Sequence, residues 1–197
     1  VFVVGAGASK EAGLPLGSEL KKDIAGLLDI RYDDFGSRRT SGSGEIDAAF
    51  RFAASQENPT SRDINPYLRA GWRIRDAMPQ ALSIDNYIDC QNGDERLELA
   101  GKLAIALAIL RAESNSKLYV DYRRDANAKP SFEMLSKTWY GPWWQLLSEN
   151  CRLADLPNRL GSVTFITFNY DRCIEQFLFH ACKNYYNLDN AQAAKVM

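Results

Sequence analysis

Residues 1–4, Val-Phe-Val-Val, form a short β-branched and aromatic run that stops at Gly5, the pattern of a buried strand. Glycines at 5, 7 and 13 punctuate the next stretch. From Gly17 onward, Leu20, Ile24, Leu27 and Leu28 recur at helical spacing, with Ser18 positioned as a cap and Lys21 and Asp23 facing water. Residues 31–45 are polar and carry Gly36, Ser37, Ser41, Gly42, Ser43 and Gly44, which predicts a loop. Beyond it the period stays helical. Amphipathic patterns cover residues 45–55 and then 61–75, the second starting at Ser61 with Asn65-Pro66 near its beginning; a short helix is predicted over 83–88. The strongest pattern spans 94–112, where Leu97, Ala100, Leu103, Ala104, Leu107 and Leu110 make one stripe. Leu99, Ile105 and Ile109 add apolar surface elsewhere, so this helix is expected to be buried on most sides. Residues 132–135 and 139–150 continue in helical style, with Gly141-Pro142 predicted to break the chain between them. The pattern changes at 163–168, Val-Thr-Phe-Ile-Thr-Phe, a strand after the breaker Gly161-Ser162. Residues 171–183 return to helical spacing through Ile174, Phe177, Leu178 and Ala181.

Two strand-to-helix turns, one near each chain end with helices between, predict an α/β fold. The expected form is a Rossmann-like parallel sheet built from both chain ends with a large helical insertion. The α/β part is assigned to residues 1–30 and 156–197 and the insertion to residues 31–155. A length of 197 residues suits one domain interrupted in this way. With 46% hydrophobic and 25% charged residues, wholesale disorder is excluded. The net charge of −1 supplies no global field for nucleic acid or an anionic membrane, so neither is expected as a partner. The most apolar stretch, residues 97–110, contains Glu98 and Lys102 and falls short of the roughly 20 residues a bilayer span needs. With no secretory leader in view, the cytoplasm is the expected compartment. The chain begins without methionine directly in a strand and ends at Met197 without a stop signal, which reads as a piece of a longer protein.

Cys90, Cys151, Cys173 and Cys182 form no C-x-x-C pair, and His180 is the one histidine. Neither a structural zinc site nor a disulfide framework is expected; free thiols are. Trp139, Tyr140, Trp143 and Trp144 make an aromatic cluster that reads as packing, with a stacking platform as the other option.

The first turn carries the first chemistry: Gly5-Ala6-Gly7-Ala8-Ser9, then Gly13-Leu14-Pro15-Leu16-Gly17. Glycines between a strand and a helix let backbone N–H groups approach a phosphate at the positive end of a helix dipole. The dehydrogenase fingerprint wants a third glycine where Lys10 stands, and no G-K-S/T follows, so a P-loop is excluded. On spacing alone a nucleotide loop and a tight structural turn both stay open. The second motif, Thr167-Phe168-Asn169-Tyr170-Asp171, follows the second strand and opens a helix. That is where an open α/β sheet binds its ligand, and equally where Asn or Asp caps a helix. Ser83-Ile84-Asp85-Asn86-Tyr87-Ile88 is a third candidate, read either as a cap with an acid in the first turn or as part of a ligand pocket.

The two turn motifs, in this order, resemble those of the bacterial sirtuin-like proteins. The Gly5–Ser9 run with Gly13-Leu14-Pro15 is similar to the family's opening NAD-binding motif, and Thr167–Asp171 to its Thr-x-Asn-x-Asp motif. The Ser83–Ile88 segment is similar to a helical Ser-x-Asp-x-aromatic segment near its pocket, which makes Asp85 a ligand-contact candidate. The deacylase branch follows Gly-Ile-Pro with Asp-Phe-Arg, has glutamine where this chain has Phe168, and carries a four-cysteine zinc ribbon; none of these is present, so protein deacylation is disfavoured. The resemblance implies NAD or ADP-ribose as ligand, no metal, and hydrolysis of the nicotinamide–ribose bond, which in many such proteins serves antiphage defence. A non-catalytic sensor of NAD or ADP-ribose is the alternative. It leaves room for a homo-oligomer and for a fused or separate effector or sensor partner. Backbone N–H groups of Ala6, Gly7, Ala8 and Ser9 would hold the diphosphate. Asn169, the implied catalytic residue, would fix the ribose, and Asp171 would orient the loop or contact the ribose. The family's general base is a histidine on a later strand. His180 lies within the helix, eleven residues past Asn169 and about 16 Å along the axis. It is expected to be a packing or surface residue, with the base beyond Met197 or dispensed with.

Overall fold

The computed structural model describes residues 1–36, 38–60, 63–125 and 128–197. In chain order the elements are β1 (Phe2–Val4), α1 (Ala6–Lys10), α2 (Gly17–Leu28), β2 (Arg31–Tyr32), β3 (Arg39–Ser41), α3 (Gly44–Glu57), α4 (Asn65–Ala77), α5 (Ile84–Cys90) and α6 (Glu95–Ser114). They continue with α7 (Phe132–Leu135), α8 (Tyr140–Ser148), a single 3-10 turn at Leu153–Asp155, α9 (Leu156–Gly161), β4 (Phe165–Thr167), α10 (Cys173–Tyr185) and α11 (Asn190–Val196). The fold is mixed α/β and mostly helical. β1 and β4 pair in parallel, with Phe2 opposite Phe165, Val3 opposite Ile166 and Val4 opposite Thr167. The two ends of the chain therefore build one small sheet, and parallel strands require the long crossover that separates them.

The chain divides into two compact units: Val1–Leu16 with Arg111–Met197, and Gly17–Leu110. These boundaries differ from those drawn at residues 30 and 155. The helix at 17–28 belongs to the helical unit because Leu20, Ile24 and Leu28 share its core. Residues 132–147 belong with the sheet because Leu135, Tyr140, Trp143 and Leu147 share a core with Phe177.

In the helical unit, α2 lies close along α4. A Cβ at Gly71 would come within 3.4 Å of Leu28 Cδ2. The core gathers Ile24, Leu28, Phe50, Ile74, Leu97 and Ala104. Four expectations change here. Residues 31–45, predicted as a loop, contain the antiparallel pair β2–β3, and its turns use Gly36 and Gly42 at φ 65° and 74°. A side chain at Gly42 would collide with the Ile30 backbone, 2.6 Å from the added Cβ. α6 is buried along one narrow face, Leu97, Ala100, Gly101, Ala104 and Ala108, while Leu110 is 55% exposed. The small residues on that face admit close neighbours and leave the bulkier ones on its flanks. The helix predicted from Ser61 begins at Asn65, with Pro66 in the first turn; Ser61 itself and the loop residue Ser37 lie outside the described residues. Ser18 sits inside the first turn of α2 rather than ahead of it.

In the sheet unit, aromatic rings cover one face of the strands. Phe2 stacks on Phe165 with ring centroids 5.5 Å apart, and Trp143 meets Phe165 edge-on at 5.4 Å. Tyr140 and Phe177 extend the cluster, centroids 4.9 Å apart, so the Trp/Tyr cluster is packing. The run at 1–4, expected to be a buried strand, is buried only at Val4: Val1, Phe2 and Val3 are exposed, as is Ile166, because the two-strand sheet leaves one face uncovered and the aromatic cluster only partly covers the other. Gly141 and Pro142 do not break the chain but lie in the first turn of α8, where a missing N–H is tolerated. Cys151, Cys173 and Cys182 are buried, Cys90 is exposed, and all four are free. Among the described residues, no helix is long and apolar enough to cross a membrane.

Candidate functional site

The parallel pairing runs one bond past β4, the Phe168 amide donating to the Val4 carbonyl at 3.0 Å. That bond sets the residues after β4 beside those after β1. The Asn169 side-chain amide donates to the Gly5 carbonyl at 3.1 Å and to Ser9 Oγ at 3.0 Å. Ser9, 1% exposed, donates its hydroxyl to Asp171 Oδ1 at 2.9 Å. The same carboxylate oxygen accepts the Cys173 amide at 3.0 Å, at the start of α10. Thr167 Oγ1 accepts the Asn169 amide at 3.1 Å and shapes the turn. Among the described residues, Asn169 Oδ1 is buried and has no partner, while Gly5, Ala6 and Gly7 are exposed.

Around the first turn, Ala8 donates its amide to the Gly5 carbonyl at 2.9 Å. This leaves Ala6 and Gly7, at the head of α1, without acceptors within the helix. Gly5 has φ −118° and ψ −179°, an extended conformation open to any residue. A Cβ at Gly5 or Gly7 would meet nothing within 4 Å. Among the described residues, no contact or torsion requires glycine at those two positions. Gly13 is different. Its φ of 105° favours glycine, and it ends the turn that returns the Leu14 amide to the Ser9 carbonyl at 3.2 Å. Leu14 is a core side chain, 1% exposed, and Pro15 is half-buried; both hold the loop from behind.

No protein-family model, curated protein or solved structure matches the chain. The site therefore stands on its own geometry.

Sequence reasoning missed the residues that support the turn from α8. Trp139 donates its indole N–H to the Ala8 carbonyl at 2.7 Å and its amide to Glu11 Oε2 at 2.7 Å. Tyr140 is fully buried, and its phenol is held far above its ordinary range by burial, with Cys173 and the Asp171 charge adding to the effect. The Cys173 thiol is raised likewise, first by burial and then by Asp171. The upward shift favours the protonated thiol. The aromatic run at 139–144 was legible as packing; that its leading tryptophan anchors the glycine turn was not.

Two further residues fall elsewhere. Asp85 belongs to the helical unit, exposed in the first turn of α5. Ser83 caps that helix, its Oγ accepting the Asn86 amide at 3.1 Å. His180 is 1% exposed, and its Nε2 faces Tyr122 Oη at 3.1 Å and Gln176 Nε2 at 3.0 Å. Burial, followed by the Lys183 charge, lowers its pKa to about 4. Among the described residues, no three His, Cys, Asp or Glu side chains gather as metal ligands.

Proposed function

We propose that the sheet unit binds NAD or ADP-ribose as a Rossmann-like domain of the sirtuin-like kind, and that its activity is hydrolysis of the nicotinamide–ribose bond. The observation that carries this reading is the Ser9–Asn169–Asp171 network, which joins the two motifs from opposite ends of the chain. Ala6 and Gly7 would offer amides to the diphosphate, with space at Gly5 and Gly7 for close approach. Asn169 Oδ1, the unmatched acceptor, would take a ribose hydroxyl. Hydrolysis consumes water and gives nicotinamide, ADP-ribose and a proton. The bond breaks through an oxocarbenium-like state, and a base must take the proton from the incoming water.

One observation favours a second reading, a binding module without turnover. His180 is neutral, buried and engaged with Tyr122 and Gln176, and it is no part of the network around Asn169. Calorimetric titration with NAD and with ADP-ribose tests the site. Binding by the wild type and its loss in Asn169→Ala are expected, and no heat from a folded sample at millimolar ligand overturns the proposal. Nicotinamide release, assayed alongside, separates enzyme from module.

A further inference from the structure

The turn between α10 and α11 borders a cavity of about 690 Å³ whose wall includes Lys129, His180, Lys183, Asn184, Asn187 and Asp189. With the Gln176 amide nitrogen donating, His180 Nε2 accepts, and this pairing assigns the ring proton to Nδ1. Nδ1 is buried and has no partner among the described residues. Buried donors are ordinarily matched, and this one lies in a neutral imidazole on a cavity wall. Two ammonium groups stand at the same wall. Lys129 Nζ donates to Asn184 Oδ1 at 2.8 Å, and Lys183 is close enough for its charge to act on His180. The opposing carboxylate, Asp189, is committed to α11, accepting the Gln192 amide at 2.8 Å. His180, a residue of the cavity wall, thus carries an unmatched buried ring nitrogen, and the wall sets two ammonium groups against one carboxylate, Asp189.

We propose that this cavity binds a small oxyanion, the phosphate or carboxylate group of a metabolite, with an oxygen accepting from His180 Nδ1–H and the charge met by Lys129 and Lys183. The site is separate from the Asn169 network and does not rest on the NAD reading. Its test follows the His180 imidazole ¹⁵N–¹H resonance while inorganic phosphate, or acetate, is titrated at constant ionic strength. A saturable shift is expected, weakened about tenfold or more in Lys183→Gln. It should be unchanged in Asn169→Ala, so that failure of the nucleotide site is read separately. Saturation by phosphate assigns a phosphate ligand, and saturation by acetate alone a carboxylate. The proposal is overturned if folded wild type shows no saturable shift with either anion. It is also overturned if the Lys129→Gln/Lys183→Gln double variant, in which the imidazole packing is untouched, responds as the wild type does.

Discussion

Ser83 and Asp85 stand at the start of α5, and Asn169 and Asp171 just ahead of α10. In both places a polar side chain is within reach of the open amides of a first helical turn. Ser83 takes that role, its Oγ bonded to the Asn86 amide three residues on. Asn169 does not. Its amide leaves α10 for Gly5 and Ser9, and Asp171 shares one oxygen between the local Cys173 amide and the hydroxyl of Ser9, 162 positions away. The local chemistry is the same and the partners are not. A cap needs only its own helix, whereas the Asn169 bridge exists because β1 and β4 pair in the register that puts Val4 opposite Thr167.

The largest test of this contrast removes the shared hydroxyl. Ser9→Ala leaves a carboxylate oxygen and an amide N–H without their buried partner, and is expected to cost about 2–3 kcal/mol, since bonds to charged groups exceed the ordinary hydrogen bond. Urea unfolding with an unchanged denaturant slope checks it. A loss near zero would mean the network is a loose surface arrangement like any other. Asn169→Ala should cost less, about 1–2 kcal/mol, because the residue is half-buried and water can reach part of what it leaves. Its loss should not be additive with Ser9→Ala: the double variant falls short of the sum, since one hydrogen bond is counted in both. Full additivity would separate the two residues and break the bridge.

Much of the chain was open to this kind of reasoning, for a physical reason. Strand ends, helix starts and stripes are set by near neighbours, so the run at 1–4, the helix at 17–28 and the strand within 163–168 follow from local pattern. Which β-branched run pairs with which is a non-local matter, yet the two strand-to-helix turns already implied the parallel β1–β4 sheet. What escaped was whatever depends on a distant partner's shape. Small residues at Ala100, Gly101, Ala104 and Ala108 make the buried face of α6, where bulk had suggested a different stripe. Gly141-Pro142 enters a helix because α8 needs no N–H there. Trp139 anchors Ala8 across the sheet unit, a contact that nothing near residue 139 announces.

The other half of the comparison predicts a smaller and purely local effect. Ser83→Ala removes one cap bond and is expected to lower stability by about 1 kcal/mol, with NAD or ADP-ribose titration unchanged. Asp85 makes the reading sharper. If Asp85→Ala, an exposed change within about 0.5 kcal/mol in stability, weakens nucleotide binding while Ser83→Ala does not, then the α5 segment contributes to the ligand site. An unaltered affinity leaves it a capped helix.

The smallest change in stability carries the sharpest discrimination. Gly7 lies within helix α1, and a methyl group there would touch nothing among the described residues. Alanine loses less conformational freedom than glycine on entering a helix, so Gly7→Ala should raise stability slightly, by about 0.5 kcal/mol. Were the turn only a structural link, nothing else would change. If a diphosphate approaches the Ala6 and Gly7 amides, the same methyl group stands in its path, and overpacking of about 1–3 kcal/mol lowers affinity by about fivefold to a hundredfold. A variant more stable than wild type and weaker in calorimetric NAD binding therefore separates a ligand requirement from a folding requirement. Equal affinity in a stabilised Gly7→Ala protein would remove the phosphate-binding role from this turn and leave the Ser9–Asn169–Asp171 bridge as a device that holds the strand ends together.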